Sequence, residues 1–342
     1  ITADSINLTP SAAVGRHTFA IDLDASAASG SPHRFIVSGG LATTDLPGDG
    51  IATAYTKGTA GAVWGARDNA GATVIATPTA KAFVGANATI SAAQNVTVAS
   101  TSLVNTKAEG TNRSSSGITS RGNVYAVTDT LVVNEAAIGD GAAIDAGSTF
   151  NLISDTGQIT NASASTHGGS LFSKKSVVNS GALVNFDNQA TIGVGADITA
   201  GHVNVDSRAA VTAHTHSSAR ANGGRAKAEA GGFGTQIGTQ TGTAGNARAL
   251  NLIDVGVDAR ISAGDVSLTA DTTSINASSY AEAKARGLKS DAYATATVNL
   301  NDIAEVELSP QAQITGTEHL TVAARHSNVV TTAHADADAK GL

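Results

Sequence analysis

The sequence has no cysteine and no methionine, only five prolines, and one Trp, four Tyr and seven Phe among its 342 residues. Without Cys there is no disulfide scaffold, no thiolate-ligated zinc and no thiol catalysis. A set of aromatics this sparse does not fill a thick globular core. Charge is also low: 14% of residues are charged, against about 25% in an average globular protein, and the formal charge is −7. That acidic balance argues against a nucleic-acid partner, which needs a basic footprint. No apolar run approaches the roughly 18 residues of a membrane span. The chain does not open with the charged-then-apolar pattern of a signal peptide. With 41% hydrophobic residues it does not have the composition of a disordered chain.

What is present is small and repetitive. There are 37 glycines, and the apolar stock is mostly Ala, Val, Ile and Leu. One phrase recurs: ATISAAQNVTV at 88–98, AIDAGSTFNL at 143–152, DITAGHVNV at 197–205, RISAGDVSL at 260–268 and QITGTEHLTV at 313–322. Its isoleucines are Ile90, Ile144, Ile198, Ile261 and Ile314, separated by 54, 54, 63 and 53 residues. The longer interval contains the Gly/Thr/Gln-rich stretch 231–245. Six residues before each Ile stands Val84, Ile138, Ile192, Val255 or Leu308, and two before stands an Ala. Next to the first of these columns run Gly85, Gly139, Gly193 and Gly256, with Ser309 as the exception. Even offsets indicate strands with one buried face, whereas a helix needs offsets of three and four. The alternating runs Ala281–Arg286 and Ala333–Ala339 (Ala-polar-Ala-polar) extend the pattern. Ala also favours helix, but strict alternation would put charges on every face of one.

A unit of about 54 residues is too short for an immunoglobulin-like sandwich, and it fits neither the helical repeats nor the tryptophan-marked propeller blade. The expected fold is all-β, a parallel β-helix (solenoid) of degenerate units. Each unit is expected to supply two or three coils, most simply three of roughly 18 residues. Coils rising about 4.8 Å each would give a rod of very roughly 80–100 Å. First coils are expected over 1–29, coils with a Gly-rich insertion carrying Trp64 over 30–80, and regular repeats over 81–342 with an insertion near 231–245. The chain opens on ITADSINL, the second half of the phrase, and closes mid-unit. That reads as a segment of a longer protein, or as ends covered by neighbouring subunits.

The unit small-x-Ile/Val-Gly-x-x-Ala-x-Ile-x-Ala-Gly-x-Val-x-Val, followed by Ala-alternating runs, resembles the repeats of giant secreted bacterial adhesins. These are the filamentous-haemagglutinin-like and leukotoxin-like filamentous adhesins. The resemblance covers roughly 82–342 and the first few residues. It implies a right-handed β-helical stalk, export to the bacterial cell surface, and cell adhesion or extracellular matrix and biofilm formation. The implied partners are a host or neighbouring-cell surface, its glycans, or other copies of the chain. No catalytic residue transfers from such a stalk, so the chain is not expected to be an enzyme.

Few residues carry specific chemistry. His214 and His216 alternate and so face the same way, a possible metal half-site against the plainer reading of two solvent-facing imidazoles. Asp45 and Asp49 in DLPGDG offer oxygens to calcium, the one cofactor considered, against a plain turn. Tyr55 and Trp64 are candidate anchors for a binding partner, or pins for the insertion. Asp22 and Asp24 alternate on an expected strand. Paired carboxylates keep a polysaccharide-cleaving β-helix enzyme as an alternative, and a self-assembling extracellular fibre subunit is another. GGFGTQIG at 231–238 misses both the dinucleotide fingerprint and the calcium nonapeptide, where Gln236 stands for the Asp. Glycosylation sequons begin at Asn7, Asn87, Asn95, Asn112, Asn161 and Asn276.

Overall fold

A computed structural model describes residues 2–8, 11–12, 34–37, 51–62, 65–116, 119–232, 249–288 and 290–341. Among the described residues there are sixteen strands and no helix. All belong to one sheet, and every recorded pairing is parallel.

The five phrases stack in register. Ile90 pairs with Ile144, Ile144 with Ile198, Ile198 with Ile261, and Ile261 with Ile314. The same spacing holds away from the phrase, as for Asn134, Asn188 and Asn251. Each residue therefore lies against its counterpart one whole unit later. One unit makes one layer, which corrects the expectation of three coils of roughly 18 residues. The reason is like-on-like stacking: only the full unit brings Ile onto Ile and Asn onto Asn, and an 18-residue circuit would stack unlike residues. The main pairing path holds seven strands. At about 4.8 Å per layer they rise only about 30 Å, well short of the expected rod.

Each layer runs out and back. Residues 89–113 lead away from the repeated turn and 119–138 return to it. Ser100 Oγ donates to Asn134 Oδ1 across the interior at 2.5 Å. Further out, a Cβ at Gly110 would lie 2.8 Å from the Tyr125 carbonyl oxygen on the opposing leg. The interior narrows in the same direction. Near the turn it holds Ile90, Ile144, Phe150, Leu152, Ile198 and their neighbours. At the far end it is almost wholly alanine, including Ala108, Ala126, Ala164, Ala221, Ala228 and Ala283. Small columns let two walls approach at close-packed density without aromatic filler.

Between these clusters runs a buried polar ladder. Asn134 Nδ2 donates to Asn188 Oδ1 at 2.9 Å, and Asn188 Nδ2 donates to Asn251 Oδ1 at 3.0 Å. Ser154 Oγ and Thr156 Oγ1 from the opposing leg also donate to Asn188 Oδ1, at 2.6 and 2.9 Å. Buried amides are tolerated because the layers above and below satisfy them.

The turn explains the Gly-x-x-Ala spacing. The amides of Ala88, Ala142, Ala196, Ala259 and Ala312 donate back to the carbonyls of Gly85, Gly139, Gly193, Gly256 and Ser309, at 3.2–3.3 Å. The third residue has φ near +60°: Asn87, Gly141, Gly195, Asp258 and Gln311. That is the demand of a type II turn, and Pro310 takes the second position such turns favour. The glycine column has a different cause. A Cβ at Gly193 would lie 2.6 Å from the Asp140 backbone nitrogen of the preceding layer.

At the other side of the sheet, Arg34–Val37 pairs parallel with Thr2–Leu8, Ser5 lying against Arg34. Ala12 pairs with Ser102 and Ile51 with Asn105.

Two stability changes follow. Gly195 has open space where a Cβ would go, so Gly195→Ala tests φ alone. It should lower unfolding free energy by about 1 kcal/mol, and Gln311→Gly should raise it by a similar amount, since a side chain in the left-handed region costs about 1–2 kcal/mol. Asn188→Ala strips partners from Asn134, Asn251 and Ser154 together and should cost about 3 kcal/mol. Urea unfolding monitored by circular dichroism measures all three.

Candidate functional site: a basic groove on the outward face

The outward leg presents alternate side chains to solvent, and stacking arranges them in columns. One column runs Tyr55, Glu109, Ser163, His216, Tyr280, His334. Two residues singled out in the sequence, Tyr55 and His216, therefore share a column. The His216 and Tyr280 rings stack at 5.2 Å, as do Tyr280 and His334, the latter pair only 9° from parallel. Burial lowers the His216 pKa, and the Glu282 charge opposes that shift.

His214 occupies the adjacent column and faces the same side, as its spacing implies. Its Nδ1 lies 2.6 Å from Ser278 Oγ. Its neighbours are thus a hydroxyl and an aromatic pair. Among the described residues, the group of three ligand-type side chains that converges lies elsewhere, at Asp265. Asp45, Asp49, Trp64, Asp22 and Asp24 lie outside the described residues. Of the sequons, Asn112 is buried, which removes it as a surface glycosylation site.

The sequence reading missed a groove beside Tyr55. It has a volume of about 770 Å³ and spans four layers, from Tyr55 and Lys57 through Arg113 and His167 to Arg220, with Thr111, Ser165 and Ser218 between them. Among the described residues no carboxylate lines it. Arg113, His167, Arg220 and Lys284 form one column. Glu282 lies 3.8 Å from Arg220 and also contacts Lys284, which holds its carboxyl below the usual range. Among the described residues no carboxylate pairs with Lys57 or Arg113. Tyr55 stands at the rim, 60% exposed.

Two buried side chains also line the groove without hydrogen-bond partners. They are Asn112, with both amide atoms unpaired, and Thr166 through its Oγ1. Buried polar atoms without partners cost stability. Both side chains are enclosed on the inward side of the strands, so it is the cations and the outward hydroxyls that make a surface suited to an anionic, hydroxyl-rich ligand. The signal was present in the sequence as a basic residue 22 or 23 positions after successive phrase isoleucines: Arg113, His167, Arg220 and Lys284.

No protein-family model matches the chain, and no curated protein or solved structure matches it either.

The return leg begins near this end with Lys174, which stacks against Ser120 and Gly224. It is 1% exposed, and burial lowers its pKa to about 8. The folded state therefore binds fewer protons than the unfolded chain between about pH 8 and 10.5, and stability rises with pH across that window. Thermal melts from pH 7.5 to 10.5 should show a rise in midpoint that Lys174→Met abolishes. An identical pH slope in the variant would show that the lysine titrates normally.

Proposed function

We propose that this chain is a structural segment of a secreted bacterial cell-surface adhesin or extracellular filament, folded as a right-handed parallel β-helix. The observation that supports this reading is the continuous register. Every layer meets the next through parallel pairing of like residues, so such a body lengthens by adding units without redesigning a core. Its work is mechanical. It presents a repeated outer face, and adhesion comes from many modest contacts acting together.

On this reading the basic groove is a contact point for acidic glycans. Lys57, Arg113 and Arg220 meet the acid groups, the Ser and Thr hydroxyls meet sugar hydroxyls, and Tyr55 offers a ring face. A second reading is a self-assembling fibre subunit, supported by the parallel register itself, which would continue unchanged from one copy of the chain to the next.

The immobilised chain should bind uronic or sulfated polysaccharides, with affinity falling as salt rises. Arg113→Ser combined with Arg220→Ser should weaken binding at least tenfold. Unchanged binding in that variant would move adhesion away from the groove, and indifference to every acidic polysaccharide would remove the glycan assignment. Light scattering on the same samples reads the fibre alternative, since growth of particle mass with concentration favours it and a constant mass opposes it.

A further inference from the structure

The repeat phrase carries a second cluster on the same outward leg, far from the groove. His202, Asp265 and His319 occupy one column in three successive layers. His202 Nδ1 lies 2.8 Å from Asp265 Oδ2, and His319 Nδ1 lies 2.7 Å from Asp265 Oδ1. A fourth candidate ligand stands beside them. Ligand atoms of Asp265, Glu318 and His319 all lie within 4.8 Å of one another.

The local backbone explains why three of these groups converge, with His202 on the other carboxylate oxygen of Asp265. Between the paired columns, one layer has the single residue Gly264 while the next has Thr317 and Glu318. This irregularity carries Glu318 over Gly264, its carboxyl 3.9 Å from where a Cβ would stand. A Cβ there would meet the carboxylate in ordinary van der Waals contact, and its tighter neighbour is the Gly201 carbonyl oxygen at 3.0 Å. An ion among Asp265, Glu318 and His319 takes the His319 Nδ1 that now faces Asp265, and the exposed His202 side chain rotates to bring its Nδ1 to the same ion.

We propose that His202, Asp265, Glu318 and His319 form a site for one divalent transition-metal ion of the zinc type, joining three layers of the sheet. Two imidazoles and two carboxylates suit a borderline metal that takes four ligands at about 2.0–2.2 Å. Mg²⁺ and Ca²⁺ are poor fits, since they select all-oxygen sites of higher coordination number. The ligands are half exposed to exposed, so they can close onto the ion by side-chain rotation, and the ion exchanges freely with solvent. Bound metal would add a coordinate cross-link to layers already joined there by backbone pairing and the His202–Asp265–His319 hydrogen bonds. The site is separate from His214 and His216, which lie about 45 Å along the strand from the column of His202.

The test is calorimetric titration of the metal-free chain with ZnCl₂ at pH 7.5 in a non-chelating buffer. One equivalent should bind, the thermal midpoint should rise, and neither MgCl₂ nor CaCl₂ should compete. His202→Gln and His319→Gln should each weaken binding at least tenfold, while the His214→Gln, His216→Gln double variant should leave it unchanged. Zinc-edge X-ray absorption on the unmodified chain should count two imidazole nitrogens, a readout independent of how the variants fold. Absence of saturable heat, full binding after loss of both His202 and His319, or a spectrum without two imidazoles would overturn the proposal and leave a plain His–Asp–His hydrogen-bonded ladder.

Discussion

The structure depends on one constraint. Each layer completes its backbone hydrogen bonds on the layers above and below, so every side chain must live about 4.8 Å from its counterpart in the next unit. The whole unit, and no fraction of it, is the distance at which those counterparts are compatible. This is why Asn134, Asn188 and Asn251 satisfy one another inside the body, and why the phrase isoleucines form one continuous buried row. It also replaces the aromatic core that the composition withholds. Two walls of small residues need no large fillers when pairing between layers carries the backbone.

The same constraint governs the surface. Some charged columns alternate in sign. Arg208 lies between Asp155 and Asp271, and Asp271 meets Arg325 Nε at 2.9 Å. Lys81 pairs with Glu135 one layer on, at 2.8 Å. Rings stack on rings in His216, Tyr280 and His334. The Arg113, His167, Arg220 and Lys284 column does not alternate, and neither does the Arg121, Lys175 and Arg225 column of the return leg, so basic residues follow one another on both legs.

Much of the layer was legible in the sequence, because period-two columns report burial directly. The isoleucine and alanine positions fall where the even offsets put them, and the strands replace the helix that Ala281–Arg286 would otherwise allow. The length of the circuit was not legible from those columns, which say that units stack but not how far the chain travels between stackings. The decisive residues were Asn134, Asn188 and Asn251, each ten before a phrase isoleucine. An amide at an even, buried offset needs a like partner one layer away, and only a whole-unit turn supplies it. His202, Asp265 and His319 were hidden by the extra residue at 317–318, which shifts the last histidine by one position. Tyr55, His214 and His216 were found by residue type, but their relation to the groove depends on stacking that no single unit displays.

The basic column carries a cost that ordinary packing does not require. Two like charges one layer apart repel by about 1 kcal/mol even at the dielectric of water. Glu282 offsets this for Arg220 and Lys284, whereas Lys57 and Arg113 have no such partner among the described residues. The charge is therefore uneven along the groove, since Arg220 and Lys284 share one carboxylate while Lys57 and Arg113 have none among the described residues. On the proposed glycan reading, an acidic ligand supplies the missing counter-charge at that end, which is why the groove, rather than the aromatic ladder beside it, is where that reading places the contact.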